Sequence, residues 1–142
     1  MLEVEVRVAD SERERTDVFA VRRDVFVEEQ GVDEELEYDE HEDDAVHFVA
    51  YDGDDPIGAA RLREYEDGVG KIERVAVLES HREEGVGRAI MDVLEEQAEA
   101  RGFETLLLHS QTHAADFYRE LGYEQVGAEF EEAGIPHVKM RK

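Results

Sequence analysis

Cysteine is absent from the 142 residues, which removes disulfides, thiolate nucleophiles and Cys-based zinc sites together. Lysine is scarce: only Lys71, Lys139 and Lys142 occur, and 16 Lys and Arg stand against 39 Asp and Glu, a formal net charge of -23. A duplex binder needs a basic footprint to displace counterions from phosphates, and no segment supplies one, so nucleic acid is disfavoured. Anionic membrane surfaces are disfavoured for the same reason. No run approaches the roughly 20 apolar residues of a membrane span. The start, Met1-Leu2-Glu3-Val4-Glu5, lacks the basic and apolar regions of a secretory signal, so the cytoplasm is the expected location.

What is present suits one folded domain over residues 1–142. A chain of this length buries roughly 70% of its unfolded surface, and hydrophobic residues, 41% of the total, recur in short periodic blocks. The acids are spread over nearly every expected surface instead of forming a tail. That distribution is similar to proteins of salt-loving organisms, in which self-repulsion is screened once molar salt shrinks the Debye length to ~3 Å. An ordinary acidic protein is the plainer alternative.

Leu2, Val4, Val6 and Val8 alternate with polar residues at the period of a strand. Ser11 with Glu14 reads as a capping box opening a helical stretch that stops near Gly31. Asp33 to Asp44 carries too many acids for a core and reads as a short helix or loop crossing the surface. Ala45–Tyr51 and Ile57–Tyr65 read as antiparallel strands about the Asp52-Gly53-Asp54-Asp55-Pro56 turn, with Asp67-Gly68 as the next turn. The apolar run from Ile72 to Leu78 suits a central strand covered on both faces. A helix follows with Val86, Ala89, Ile90, Val93, Leu94 and Ala98 on one side, capped by Gly102, and Leu106-Leu107-Leu108 makes another buried strand. Strand, crossover helix and strand form a right-handed parallel unit in an otherwise antiparallel pattern. Ala114–Leu121 predicts a last helix, and strands around 123–130 and 137–141 flank a turn with Gly134 and Pro136. The fold class is therefore α/β, in the α+β sense: a mixed, mostly antiparallel sheet with a central parallel βαβ pair.

The sharpest motif joins the central strand to its helix: Val75-Ala76-Val77-Leu78-Glu79-Ser80-His81-Arg82-Glu83-Glu84-Gly85-Val86-Gly87-Arg88-Ala89. Glycines there let ligand oxygens approach the backbone, and the free N–H groups and positive helix end favour phosphate or pyrophosphate. A Walker loop would need Gly-Lys-Ser or Gly-Lys-Thr, but Arg88 and Ala89 follow Gly87. A dinucleotide fingerprint would need a small residue where Ile90 stands.

Arg82, Gly85 and Gly87 match the pyrophosphate loop of GNAT acetyltransferases, which is Gln or Arg, two residues, Gly, one residue, then Gly or Ala. The family's order of strand, two helices, three strands, helix, strand, helix and two strands matches the pattern above, so the resemblance covers essentially the whole chain. More narrowly, the chain resembles a bacterial and archaeal subgroup carrying blocks similar to Val25-Phe26-Val27-Glu28-Glu29-Gln30, Lys71-Ile72-Glu73-Arg74-Val75-Ala76-Val77, Leu108-His109-Ser110-Gln111, Phe117-Tyr118 with Leu121-Gly122-Tyr123, and Gly134-Ile135 with His137. The resemblance implies acetyl-CoA as acetyl donor and an amine as acceptor. It places the backbone of Val75, Ala76 and Val77 beside the pantetheine arm, and the loop from Arg82 through Glu83, Glu84, Gly85, Val86 and Gly87 to Arg88 around the pyrophosphate. It puts Tyr118 where many members direct a tyrosine at the CoA sulfur, a role as acid that competes with plain aromatic packing beside Phe117. Arg22, Glu28, Glu29 and Gln30 come from the helical region that helps form the acceptor side.

Acetyl transfer needs an amine stripped of its proton and a thiolate that regains one. Strand alternation puts Glu73 on the face of Val75 and Val77, where a carboxylate serves as base, directly or through water, or attracts a cationic acceptor; pairing with Lys71 or Arg74 is the equal alternative. His109, Ser110 and Gln111 follow the second parallel strand where the pair should separate, and are expected to line the acceptor pocket. His109 and His113 are four apart, but the strand-to-helix transition between them spoils a helical metal pair, so no metal is expected. Two other classes stay open: a non-catalytic acyl-CoA-binding or sensor module, and an interaction protein holding a basic partner on its acidic face. Nothing in the sequence argues against a homodimer.

The loop departs from the family in carrying Glu83 and Glu84 where Gly or a basic residue is common. Two carboxylates beside a pyrophosphate repel it, and salt screens exposed charges. Acetyl-CoA is therefore expected to bind more tightly in molar KCl than in dilute buffer, measured by calorimetric titration; an affinity falling steadily as salt is added contradicts this.

Overall fold

The computed structural model describes residues 3–142; Leu2 of the expected first strand lies outside them. In chain order come β1 (Val4–Val8), α1 (Glu12–Arg22), a π-helical segment (Arg23–Glu29), α2 (Glu34–Glu37), β2 (Val46–Asp52), β3 (Asp55–Glu66), β4 (Val69–Val77), α3 (Val86–Ala100), β5 (Thr105–Gln111), α4 (Ala115–Glu120), β6 (Glu124–Glu132) and β7 (Ile135–Arg141). Both halves of the Ser11/Glu14 capping box form at the start of α1. The helical stretch ends near Gly31 as expected, but its last turns are wound as π-helix, a geometry that is rare and concentrated at functional sites.

The strands make one sheet in the order β1-β2-β3-β4-β5-β7-β6. Every neighbouring pair is antiparallel except β4 and β5, so the α+β reading holds. The parallel ladder runs from Val69 opposite Thr105 to Ile72 opposite Leu108 and stops there, although β4 continues to Val77 and β5 to Gln111. Beyond Ile72 the two strands part, and the unfilled wedge between them is the opening in which a site can form.

Helices cover both faces. On one, Ile90, Met91, Leu94 and Ala98 of α3, at helical spacing, and Ala115 and Tyr118 of α4 pack on Phe48, Ala60, Leu62, Ile72, Leu108, Val138 and Met140. On the other, Val18 and Val21 of α1 and Val25 of the π-helical segment pack on Val49, Tyr51, Ala59 and Ala76. Alternate residues of β2 and β3 thus feed two separate cores, as a two-sided sheet requires.

The acid-rich stretch from 33 to 44 crosses the surface as expected, with α2 as its short helix and most of its residues exposed, but Glu37, Asp39 and Glu42 turn inward. Arg22 and Arg61 are both fully buried, and this stretch supplies their counterions. The Arg22 guanidinium donates to the Glu37 carboxylate at 2.7 Å, to the Glu37 carbonyl at 2.9 Å and to both oxygens of Glu42 at 2.8 Å. Arg61 donates to both oxygens of Asp39 at 2.7 and 3.0 Å and to Glu73 at 2.7 Å. Arg74 adds contacts to the Leu36 and Glu37 carbonyls and to Asp39. The strap is bolted over the α1 face of the sheet by three arginines from three different elements, and Glu37 is only 3% exposed. Burial pushes the Glu37 carboxyl above its ordinary value despite the cations beside it, whereas the Asp39 carboxyl is held well below the usual range: burial opposes this and the Arg61 hydrogen bonds outweigh it.

Removing one member of a buried ion pair leaves an uncompensated charge and costs about 3–5 kcal/mol. Arg22→Ala is expected to destabilise the fold by that amount, measured as a shift in urea midpoint at constant m-value; a loss under about 1 kcal/mol would mean the strap is held by something else.

Candidate active site

The wedge between β4 and β5 widens into a cleft of about 850 Å³, bounded by the π-helical segment, the strap, the end of β5 and the β6–β7 hairpin. That volume falls in the usual range for small-molecule sites. Val75, Ala76, Val77 and Arg82 line it, as do Glu29, Gln30, Glu73, His109, Gln111 and Tyr118.

At one end of the cleft the chain turns from β4 into α3. Glu83 and Gly85 both take left-handed backbone conformations, φ 63° and 84°, and Gly85 caps α3 without any side-chain hydrogen bond. The first bond into the helix is from the Ala89 amide to the Gly85 carbonyl at 3.0 Å. The amides from Glu83 to Arg88 therefore have no protein partner among the described residues, and they gather at a positive helix end. This is a concave set of donors fitting a pyrophosphate. A Cβ on Gly87 would stand 3.1 Å from the Phe117 ring, so α3 and α4 meet closely there. Val86 is buried in the core and offers only its amide. Glu83, Glu84 and Arg88 are exposed. Arg82 departs from a free anion receptor: its guanidinium donates to both oxygens of Glu29 at 2.6 Å and to the Val77 carbonyl at 3.0 Å, which shapes the loop and ties it to the π-helical segment.

Tyr118 is 7% exposed and sits edge-on to Phe117 and Tyr123. Its hydroxyl has no protein hydrogen bond among the described residues, yet the residue lines the cleft. Burial pushes its phenol above the ordinary tyrosine value, so the proton is retained until a stronger base appears.

Of the two readings of Glu73, the ion pair with Lys71 forms at 3.3 Å, and the reading as a base beside Val75 and Val77 needs correcting twice. Arg61 pairs with Glu73 and Ala59 with Ala76, so β4 carries one extra residue between these points, and Arg74 takes φ 56° to accommodate it. Such a bulge reverses the alternation. Glu73 shares a face with Ala76 and α1, while Val75 and Val77 pack toward α3. Glu73 is also enclosed by cations, accepting from Arg61 and Arg63 at 2.7 Å each with Lys71 at 3.3 Å. Burial alone would raise its carboxyl, but these partners take it down to about 2. A carboxylate so weakly basic is a structural counterion, not a proton acceptor at neutral pH.

The acceptor-side expectations divide. Gln111 donates to Gln30 at 2.8 Å across the mouth of the cleft, and His113 bonds Gln111 at 2.6 Å. Glu29, Gln30, His109 and Gln111 face the cleft. Arg22 does not: it is sealed in the strap by Glu37 and Glu42. Glu28 points outward, 62% exposed and 3.5 Å from Arg23. Sequence reasoning missed Glu132, which with His137 comes from the β6–β7 hairpin and contacts His109 at 3.3 Å. The signal was the hairpin register: Glu132 pairs with Ile135 and Phe130 with His137, putting Phe130, Glu132 and His137 on one face.

Residues 8–142 match the profile of the acetyltransferase (GNAT) domain. The chain belongs to the GNAT acetyltransferase family. It is 47% identical over 136 residues to the uncharacterised N-acetyltransferase YjcF of Bacillus subtilis (strain 168), covering 95% of this chain and 96% of that one. A crystal structure from Lactobacillus plantarum, 33% identical over 98% of this chain and 97% of that one, matches with a TM-score of 0.91. The fold is also that of an aminoglycoside 6'-N-acetyltransferase complexed with coenzyme A, at 18% identity, 97% and 96% coverage and a TM-score of 0.76.

The Glu73 carboxyl has a folded-state value of about 2 against an ordinary 4.5. Because folding lowers it, the stabilisation is complete above about pH 4.5 and is lost as pH falls toward 2; it amounts to about 3 kcal/mol at neutral pH. Glu73→Gln is expected to lower stability by about that amount at pH 7, with the gap to wild type closing below pH 4 in urea titrations. A gap independent of pH contradicts the assignment.

Proposed function

We propose that this chain is an acetyl-CoA-dependent N-acetyltransferase, a single catalytic domain over residues 1–142 that moves an acetyl group to a primary amine by direct transfer. The observation that carries this reading is the junction of three features: strands that part after Ile72 and Leu108, unpartnered amides at the start of α3, and Tyr118 with an unbonded hydroxyl lining the gap. The amides suit the pyrophosphate of the donor, and the edge of β4 at Val75, Ala76 and Val77 suits an extended pantetheine arm lying along it. Family membership supports the same donor.

The chemistry follows from what the residues can hold. No cysteine exists to carry an acetyl group, which favours attack by the amine within a ternary complex. Tyr118, its proton retained by burial, is the acid that protonates the departing sulfur. Glu83 and Glu84, exposed at the loop, and the acidic surface at large suit work at high salt in the cytoplasm.

Tyr118→Phe is expected to lower kcat by roughly 10²-fold or more while leaving acetyl-CoA affinity within about twofold by calorimetry. If the wild-type protein binds acetyl-CoA but releases no CoA with any amine of a broad panel, the chain is an acyl-CoA-binding module instead. Equal activity of Tyr118→Phe and wild type removes Tyr118 from the acid role.

A further inference from the structure

With Glu73 neutralised by its three cations, the acceptor side lacks the base that amine transfer demands. The hairpin supplies a candidate. His109 sits on β5 between Leu108 and Ser110, whose side chains are buried, so its ring projects from the opposite face, into the cleft. Its Nδ1 lies 3.3 Å from an oxygen of Glu132, and its Nε2 has no hydrogen-bond partner among the described residues. A carboxylate can only accept, so Nδ1 bears the proton and Nε2 keeps its lone pair. Phe130 packs edge-on against the ring at 5.0 Å. His137, 3.6 Å from the other Glu132 oxygen, is already committed: its Nδ1 donates to the Ile135 carbonyl at 2.7 Å. Charged groups near it are Lys139, paired with His109 across β5 and β7, and Lys71 with Glu73 on β4, while Glu29, Glu37, Arg74 and Arg82 line the rest of the cleft.

We propose that His109, oriented by Glu132, is the base that accepts the proton of the acceptor amine; this rests on the transferase reading above. Carboxylate, imidazole and an open nitrogen in line is the arrangement that makes a histidine an effective proton acceptor. The step balances: the ammonium gives one proton to His109 Nε2, the freed nitrogen bonds the acetyl carbon, the carbon–sulfur bond breaks as sulfur takes the Tyr118 proton, and the second proton that the nitrogen sheds on becoming an amide returns to the Tyr118 phenolate through water. Tyr118 belongs to the core on the α3/α4 face and His109 to the opposite face, so donor and acceptor of protons flank the opened sheet from its two sides. The His109 bond also holds the Glu132 carboxyl below its ordinary value, outweighing burial, which keeps Glu132 ionised as the orienting anion.

Two measurements test this. Ring ¹⁵N–¹H correlation spectra of the labelled protein at pH 8 in molar KCl, with His109 identified by its loss in His109→Asn, are expected to show Nδ1 protonated and Nε2 bare. Glu132→Leu, which removes the acceptor, is expected to shift that pattern toward the Nε2-protonated form. An Nε2-protonated His109 in wild type, or a pattern indifferent to Glu132→Leu, overturns the dyad. CoA release is then compared for the best alkylamine of a primary-amine panel, which is protonated at assay pH, and for O-methylhydroxylamine, which is not. His109→Asn is expected to lower kcat roughly 10²-fold with the alkylamine and less than about fivefold with O-methylhydroxylamine, acetyl-CoA affinity unchanged. Equal losses with both overturn the assignment of His109 as base. If wild type acetylates neither amine, the transferase reading fails, and the ring spectra alone decide whether Glu132 orients His109.

Discussion

Arg22 and Arg61 are fully buried, and the wall that the strap gives the cleft depends on how their charges are met. A guanidinium cannot lose its proton at any ordinary pH, so the chain must bring carboxylates to it. Glu37, Asp39 and Glu42 come from the strap and Glu73 from β4. The same bonds that neutralise the arginines fix the strap over the sheet and give the cleft one of its walls. They also consume Glu73. A carboxylate that stabilises a buried arginine is ionised too firmly to serve as a base, and the structural and catalytic uses of that residue exclude each other.

The bulge at Arg74 completes this division. Without the extra residue, Glu73, Val75 and Val77 would share one face, and a charged cluster would sit against the α3 core. With it, the charged residues Lys71 and Glu73 stay on the strap side while Val75 and Val77 turn to the apolar side. The strand leaves its parallel partner in the same region, since pairing with β5 ends at Ile72. The departure from regular pairing is what exposes strand edge to the cleft, and a positive φ at a non-glycine residue is the local strain that accompanies it.

Features legible in the sequence were those set by neighbours along the chain. The Ser11/Glu14 box, the Gly53 and Gly68 turns, the β4–α3–β5 unit and the Arg82-to-Gly87 loop all depend on short spacings, and each appears where its residues predict it. Arg74 shows the opposite case, because arginine carries no signal for a left-handed conformation and strand alternation then places Glu73 on the wrong face. The strap was legible as a surface crossing with a short helix, but not as a source of counterions. A dozen residues rich in acid read as solvated until Arg22 and Arg61, distant in sequence, are seen beneath them. Glu132 was missed because its relation to His109 crosses from β6 past β7 to β5, and no spacing within either strand announces it.

The distribution of charge separates what salt can change from what it cannot. Three carboxylates lining the cleft are matched by arginine or lysine, Glu29 by Arg82, Glu37 by Arg22 and Arg74, and Glu73 by Arg61, Arg63 and Lys71, and the fourth, Glu132, accepts a hydrogen bond from His109. The excess that makes the net charge -23 therefore lies on surfaces away from these partners, including Glu83 and Glu84 at the loop. Buried pairs are screened little by ions and exposed charges strongly. Raising the ionic strength is then expected to relax the repulsion felt by an approaching polyphosphate while leaving the buried pairs of the strap and of Glu73 in place. An acidic exterior of this kind tunes entry to the site without touching its interior, which is why the composition that dominates the sequence says so little about the chemistry the fold encloses.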